Sequence, residues 1–207
     1  MSSAASDVYK RQAIADVAHF VRSGDAIDNE ARHRGNSTYF PDRVVPMLPD
    51  NLSGNLCSLH EGEKRACIVV KIKIDSVGNK ISHKFTRAVI QSWASLEYGE
   101  VQEVIDKGKG KPKVLDLVNT VIKPLYDAYS CLKISRKARS PLDLNLPERK
   151  IEIDEKGIVK DVRFNERLEA HKLIEEFMIL ANVCAAETLS YKKTPTIFRV
   201  HEEPDKE

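Results

Sequence analysis

The stretch ACIVVKIKID, residues 66–75, alternates without a break: Ala66, Ile68, Val70, Ile72 and Ile74 fall on one side, and Lys71 and Lys73 on the other. A period of two belongs to a pleated strand with one dry and one wet face. Val77-Gly78-Asn79 is a turn signal, and KISHKFTRAVI supplies a second strand, so the segment predicts a β-hairpin. One covered and one wet face favour antiparallel pairing.

From Ala13 the sequence becomes strand-like (AIADVAHFV), whereas residues 1–12, MSSAASDVYKRQ, carry no amphipathic period. Those twelve residues resemble a translated adapter and are expected to be a non-native scar. Ser23-Gly24-Asp25 offers capping oxygens for a short charged helix ending near Arg34, with Gly35 as its stop. Prolines 41, 46 and 49 make the following segment extended or irregular. A short helix is expected from Tyr98 to Asp106, then an exposed loop DKGKGKPK. Helical spacing resumes over Val114–Leu132, with Pro124 as a kink or break. KIEIDEKGIVKDVRF reads as a second hairpin. A long helix follows from Glu166 to Leu189, burying Ala170, Ile174, Phe177, Ala181, Cys184 and Thr188. TIFRVHE reads as a last strand. Helices and hairpins mix without a βαβ repeat, so the fold class is α+β, a mixed, mainly antiparallel sheet with surrounding helices.

Composition narrows the function little. Lys+Arg 33 against Asp+Glu 31 leaves a net charge of +2, without the general basic excess of many nucleic-acid binders. Two local runs, Arg65/Lys71/Lys73 and Lys133/Arg136/Lys137/Arg139, suit phosphate contacts or simply form solvated faces. Cys57, Cys67, Cys131 and Cys184 lack metal or disulfide spacing and read as small core residues of a reduced, cytoplasmic protein. No apolar run reaches the length of a membrane span, and the N-terminus lacks the apolar centre of a secretory signal.

Seven collinear blocks carry a resemblance: AIADVAHFV, EARHRGNSTYFPDRVVPMLP, LSGNLCSL, SLEYGEV, PLDLNLPE, RLEAHKLIEEFMILAN and FRVHEEP. Together, in this order, they resemble the RNB catalytic domain of RNase R and RNase II type exoribonucleases. The resemblance makes residues 13–207 a partial RNB domain, truncated at both ends. It implies a cytoplasmic, monomeric parent that hydrolyses RNA processively from its 3′ end to nucleoside 5′-monophosphates, with magnesium as cofactor. The expected partner is a single-stranded RNA 3′ end, with no DNA and no membrane. In the family the magnesium is held by four aspartates lying ahead of the IADV strand, which are not in this sequence, so the chain itself is expected to be inactive. Asp16 is expected to serve a structural hydrogen-bonding role rather than to bind metal, and no metal ligand is assigned.

The same resemblance singles out four residues. Tyr39, in NSTYFP, matches one jaw of a base clamp, where an aromatic face stacks on any base; the plain alternative packs it against Phe40 and the prolines. Leu144 stands where relatives often carry a phenylalanine as the second jaw, and leucine offers contact without a π face. Tyr98, in SLEYGEV, matches a catalytic-site tyrosine near the scissile phosphate, or alternatively anchors its helix. Glu176 matches a contact to the terminal nucleotide, and spacing puts it on an exposed face with Glu169 and Lys172. His171 and Glu175 read as a helix side-chain pair. Two other readings compete: a non-catalytic RNA-binding RNB relative, and an α+β interaction module of only architectural likeness.

Overall fold

The computed structural model describes residues 8–138, 148–155 and 157–198. Its centre is the expected hairpin. Strand β4 (Lys64–Ile74) lies between β1 (Val8–Ala15) and β5 (Lys80–Gln91) in a three-stranded antiparallel sheet. Its core-facing Val70, Ile72 and Ile74 are fully buried. Asp75 closes the hairpin by accepting the backbone N–H groups of Val77 (3.0 Å) and Asn79 (2.8 Å), an Asx-type turn.

Two helices cover this face. Leu173, Phe177, Ala181 and Cys184 of α6 (Glu169–Tyr191) and Ala128, Tyr129 and Leu132 of α5 (Lys123–Ala138) close over the three strand residues as one core. The buried stripe of α6 runs through Leu173 rather than Ile174, which lies at the rim. Near its far end α6 is tied to β5: His83 Nε2 lies 2.7 Å from Thr188 Oγ1, and Lys80 pairs with Glu187. A second core of Val104, Val114, Leu117 and Ile122 joins α3 (Tyr98–Lys107), α4 (Pro112–Asp116) and a π-helical turn, Val118–Ile122, to the start of α5. Tyr126 packs against both cores. The expected break near Pro124 is this π-helical turn, which ends two residues before Pro124 and runs directly into α5.

Helix α2 (Ala26–Arg34) has the expected caps: Asp25 Oδ1 accepts the Asp28 N–H at 2.7 Å, and Gly35 ends it with φ of 76°. The proline-rich segment holds a small ribbon, β2 (Thr38–Tyr39) with β3 (Val44–Val45), and then a π-helical turn, Asn51–Leu56, that proline spacing did not foretell. The second hairpin pairs β6 (Glu148–Ile153) with β7 (Val159–Asn165). Every named strand pair is antiparallel, as the α+β reading expects.

Three expectations are corrected. The strand expected over 13–21 stops at Ala15, and Val17–Phe20 forms a single helical turn, α1. That strand also begins earlier, at Val8, so Val8–Gln12 pair with β4. Of the last expected strand, residues 196–198 belong to no strand and the remainder lies outside the described residues.

The early start of β1 places Lys10 opposite Ile72, on the core side. Its ammonium sits 3.1 Å from the Phe177 ring centroid and donates to Gln12 Oε1 at 2.9 Å. Burial pushes its pKa down to about 7. An apolar side chain suits this position better, so Lys10→Leu is expected to stabilise the chain by about 1 kcal/mol. The unfolded lysine titrates near 10.5, so the unfolded chain holds more protons between pH 7 and 10.5. Stability should therefore rise with pH across that window in the parent and stay flatter in Lys10→Leu, as read by urea denaturation; identical slopes contradict the placement.

Gly78, with φ of 83°, brings the hairpin turn so close to α5 that a Cβ would collide with the Cys131 carbonyl. Gly78→Ala combines a backbone penalty with overpacking and should cost about 2–4 kcal/mol. A loss under 0.5 kcal/mol would show that the turn does not seat on the helix.

Candidate functional site

The junction of α3 and α6 gathers the most chemistry. Tyr98 is the first residue of α3 and remains 44% exposed. Its ring stacks on the imidazole of His171, with centroids 4.1 Å apart and planes 25° apart. One turn further along α3, Gln102 Oε1 accepts the Ala170 N–H of α6 at 3.0 Å, satisfying one donor that a helix start leaves without an intrahelical partner. His171 Nδ1 accepts the Leu168 N–H at 3.2 Å. Beneath Tyr98 lies a pocket of about 120 Å³, lined by Leu96, Val101, Ile122, Tyr126 and Leu173 among others. The Tyr126 hydroxyl is buried without a hydrogen-bond partner among the described residues, and burial raises its pKa, with Asp106 and Glu169 adding to the effect.

Glu176 departs from its expected exposure. It is 4% exposed, lies on the buried side of α6 and pairs with Arg136 of α5. Sequence spacing missed this because its partner lies forty residues away on another helix. Closer to the start of α6, Glu169 accepts from Lys172 (2.9 Å), Lys133 (3.3 Å) and the Tyr129 hydroxyl (3.2 Å). The hydrogen bond from Lys172 is the largest influence holding its carboxyl below the usual range. His171 and Glu175 do not pair as expected; Glu175 meets Arg167, and His171 meets Tyr98.

Tyr39 is 77% exposed on the β2–β3 ribbon, directly opposite Val44. The Phe40 N–H to Arg43 carbonyl bond (2.8 Å) closes the ribbon, and the Arg43 guanidinium lies 4.9 Å from the Phe40 ring centroid. At its high exposure the Tyr39 ring is not packed into the proline segment. Leu144 lies outside the described residues. Tyr98 lines the pocket just described, Glu176 lines a different one of about 330 Å³ beside Gly78 and Lys80, and Tyr39 lines neither. Tyr98 and Glu176 are joined through α6, on which His171 and Glu176 are five residues, roughly 7.5 Å, apart along the axis.

The cationic runs divide. Arg65 is buried and gives no phosphate contact: Nε donates to the carbonyls of Asn55 (3.2 Å) and Ser58 (3.1 Å), and Nη2 to Asn55 Oδ1 (2.6 Å). It latches the Asn51–Leu56 turn onto β4. Lys133 and Arg136 are committed to Glu169 and Glu176. Lys71 and Lys73 lie beside the Tyr9 ring, 4.8 Å and 5.6 Å from its centroid, on the sheet's outer face.

Asp16 is 2% exposed; Oδ2 pairs with Arg87 Nε at 2.9 Å, and Oδ1 has no hydrogen-bond partner among the described residues. Its ionisable neighbours include Cys57 and Cys67, whose thiols burial raises and the Asp16 charge raises further. Protonated thiols and an arginine-paired carboxylate are a poor shell for magnesium, which requires several oxygen ligands. No group of three or more His, Cys, Asp or Glu among the described residues suits a metal. These residues do not fit the ion implied by the family. Among the described residues no helix is long and apolar enough to cross a membrane.

Comparison with known proteins identifies the fold and the family. The sequence model of the RNB domain matches residues 12–207. Ribonuclease R of Escherichia coli (strain K12) is 36% identical over 195 residues, covering 94% of this chain and 24% of that protein. Ribonuclease R of Thermotoga maritima is 39% identical over 198 residues, covering 94% and 27%. The structure of Mycoplasma genitalium RNase R in complex with ribose methylated single-stranded RNA superposes with a TM-score of 0.82 at 32% identity, covering 89% of this chain and 29% of that one. The chain spans about a quarter of the length of these curated relatives. With the family model matching nearly its whole length, the chain belongs to the RNB domain family of ribonuclease R type exoribonucleases.

Proposed function

We propose that this chain is the RNA-gripping part of a 3′–5′ exoribonuclease that hydrolyses RNA processively to nucleoside 5′-monophosphates, and that it seats a single-stranded RNA 3′ end. The reading is carried by the exposed Tyr98 ring at the first turn of α6, the helix that also bears Glu176, in a chain collinear with ribonuclease R. Tyr98 would hydrogen-bond a phosphate oxygen or orient the terminal nucleotide near the reacting centre. Tyr39 would stack on a base from its open ribbon, and Leu144 would form a weaker opposing jaw. Glu176, shared with Arg136, would meet the terminal nucleotide from the α5–α6 seam. The Mycoplasma genitalium relative in complex with single-stranded RNA supports the choice of partner.

In the intact enzyme, cytoplasmic and monomeric in this reading, hydrolysis would depend on magnesium held by the family's aspartate cluster. Residues 13–207 would be the RNB part and residues 1–12 a foreign lead-in, of which Val8–Gln12 complete β1.

Stacking contributes about 1–3 kcal/mol per base. Tyr39→Ala should therefore weaken binding of fluorescent single-stranded RNA to the folded chain by roughly 5- to 150-fold, as read by anisotropy at low salt. DNA of the same sequence should bind more weakly than RNA. RNA affinity that ignores both Tyr39→Ala and Tyr98→Ala would remove the reading.

Incubated with magnesium and 5′-labelled RNA, the purified chain should bind without shortening the RNA, since no group of His, Cys, Asp or Glu among the described residues suits a metal. Magnesium-dependent shortening from the 3′ end that disappears in Glu176→Gln would contradict this.

A further inference from the structure

We infer that His171 is a positioning residue for Tyr98, fixing the plane in which the phenol ring meets RNA; this rests on the role proposed for Tyr98. The start of α3 does little to hold that ring. Its N-cap, Glu97, makes no side-chain cap bond, and Tyr98 is nearly half exposed. What faces the ring is the imidazole, close to parallel at 4.1 Å.

The imidazole is itself held. Nδ1 accepts the Leu168 N–H, so in the neutral ring the proton lies on Nε2. That bond caps α6 and pins the imidazole plane in one step. Gln102, one turn beyond Tyr98, accepts the Ala170 N–H, two residues past Leu168, and fixes the distance between the helices. Order therefore passes from the α6 backbone to His171, and from His171 to the tyrosine. An aromatic plane at position 171 is the requirement, and the cap bond serves to orient it.

Two conservative variants separate these roles. His171→Phe keeps a stacking face and loses the acceptor; His171→Asn keeps an acceptor and loses the face. In the full 207-residue chain, using fluorescent single-stranded oligoadenylate, His171→Ala and His171→Asn should each weaken binding by about 3- to 10-fold. His171→Phe, which keeps the stacking face and loses the bond that orients it, should bind more weakly than the parent and clearly better than His171→Ala. Tyr98→Ala combined with His171→Ala should bind no more weakly than Tyr98→Ala alone. Without RNA, the Tyr98 ring-proton resonances should shift in His171→Ala and hold close to their place in His171→Phe.

Normal RNA affinity in His171→Ala beside weak binding in Tyr98→Ala overturns the positioning role and leaves the role of Tyr98 standing. Normal affinity in Tyr98→Ala overturns both. Tyr98 resonances unmoved in His171→Ala overturn the positioning role whatever the RNA data. Retained affinity in His171→Asn, with loss of both affinity and melting temperature in His171→Phe, reduces His171 to a helix cap and also overturns it.

Discussion

Phe177 packed against Val70, Ile72 and Ile74 is the contact on which the other arrangements rest, because it sets where α6 lies on the sheet. Burying a large apolar side chain contributes about 1.5–3 kcal/mol, more than any exposed ion pair in the chain can offer. The strand face is continuous and dry, so the helix covering it needs an apolar stripe, and Leu173, Phe177, Ala181 and Cys184 provide one. Once α6 is seated, its first turn becomes a fixed platform. Tyr98 and Gln102 dock on that turn through His171 and Ala170, and α5 closes the flank through Tyr129 and Leu132.

Polar groups then set detail rather than architecture. Arg65 holds the Asn51–Leu56 turn by binding backbone carbonyls and Asn55, which converts a proline-rich, otherwise irregular stretch into a defined wall beside β4. Arg136 and Glu176 bridge α5 and α6 where both are largely withdrawn from water. A buried pair of this kind adds little net stability against an apolar replacement but fixes one register between two helices. The Tyr129 hydroxyl, held protonated well above the ordinary tyrosine range by burial and then by Glu169, marks the same seam.

Local patterns were legible in the sequence and distant partnerships were not. The strict alternation of 66–75, the caps Asp25 and Gly35, and the spacing of α6 are properties of neighbouring residues, and each predicts its element correctly. Asp16 follows the last residue of β1 and is buried against Arg87 of β5, a pairing that no local pattern announces. Glu176 looks exposed on a helical wheel because the wheel knows nothing of Arg136. The stack of Tyr98 on His171 joins residues 73 positions apart, so sequence neighbours offered Glu175 as the partner instead. The open face of Tyr39 depends on a two-residue ribbon too short to stand out among three prolines.

The proposed seat of the RNA 3′ end is the first turn of α6, beside Tyr98. Photocrosslinking a single-stranded RNA that carries 4-thiouridine at its 3′ terminus, followed by mass spectrometry of the digested chain, tests it most directly. Adducts are expected on Tyr98 or on α6 residues between His171 and Glu176. Adducts confined to the outer face of the β1–β4–β5 sheet, with none at the α3–α6 junction, would contradict it.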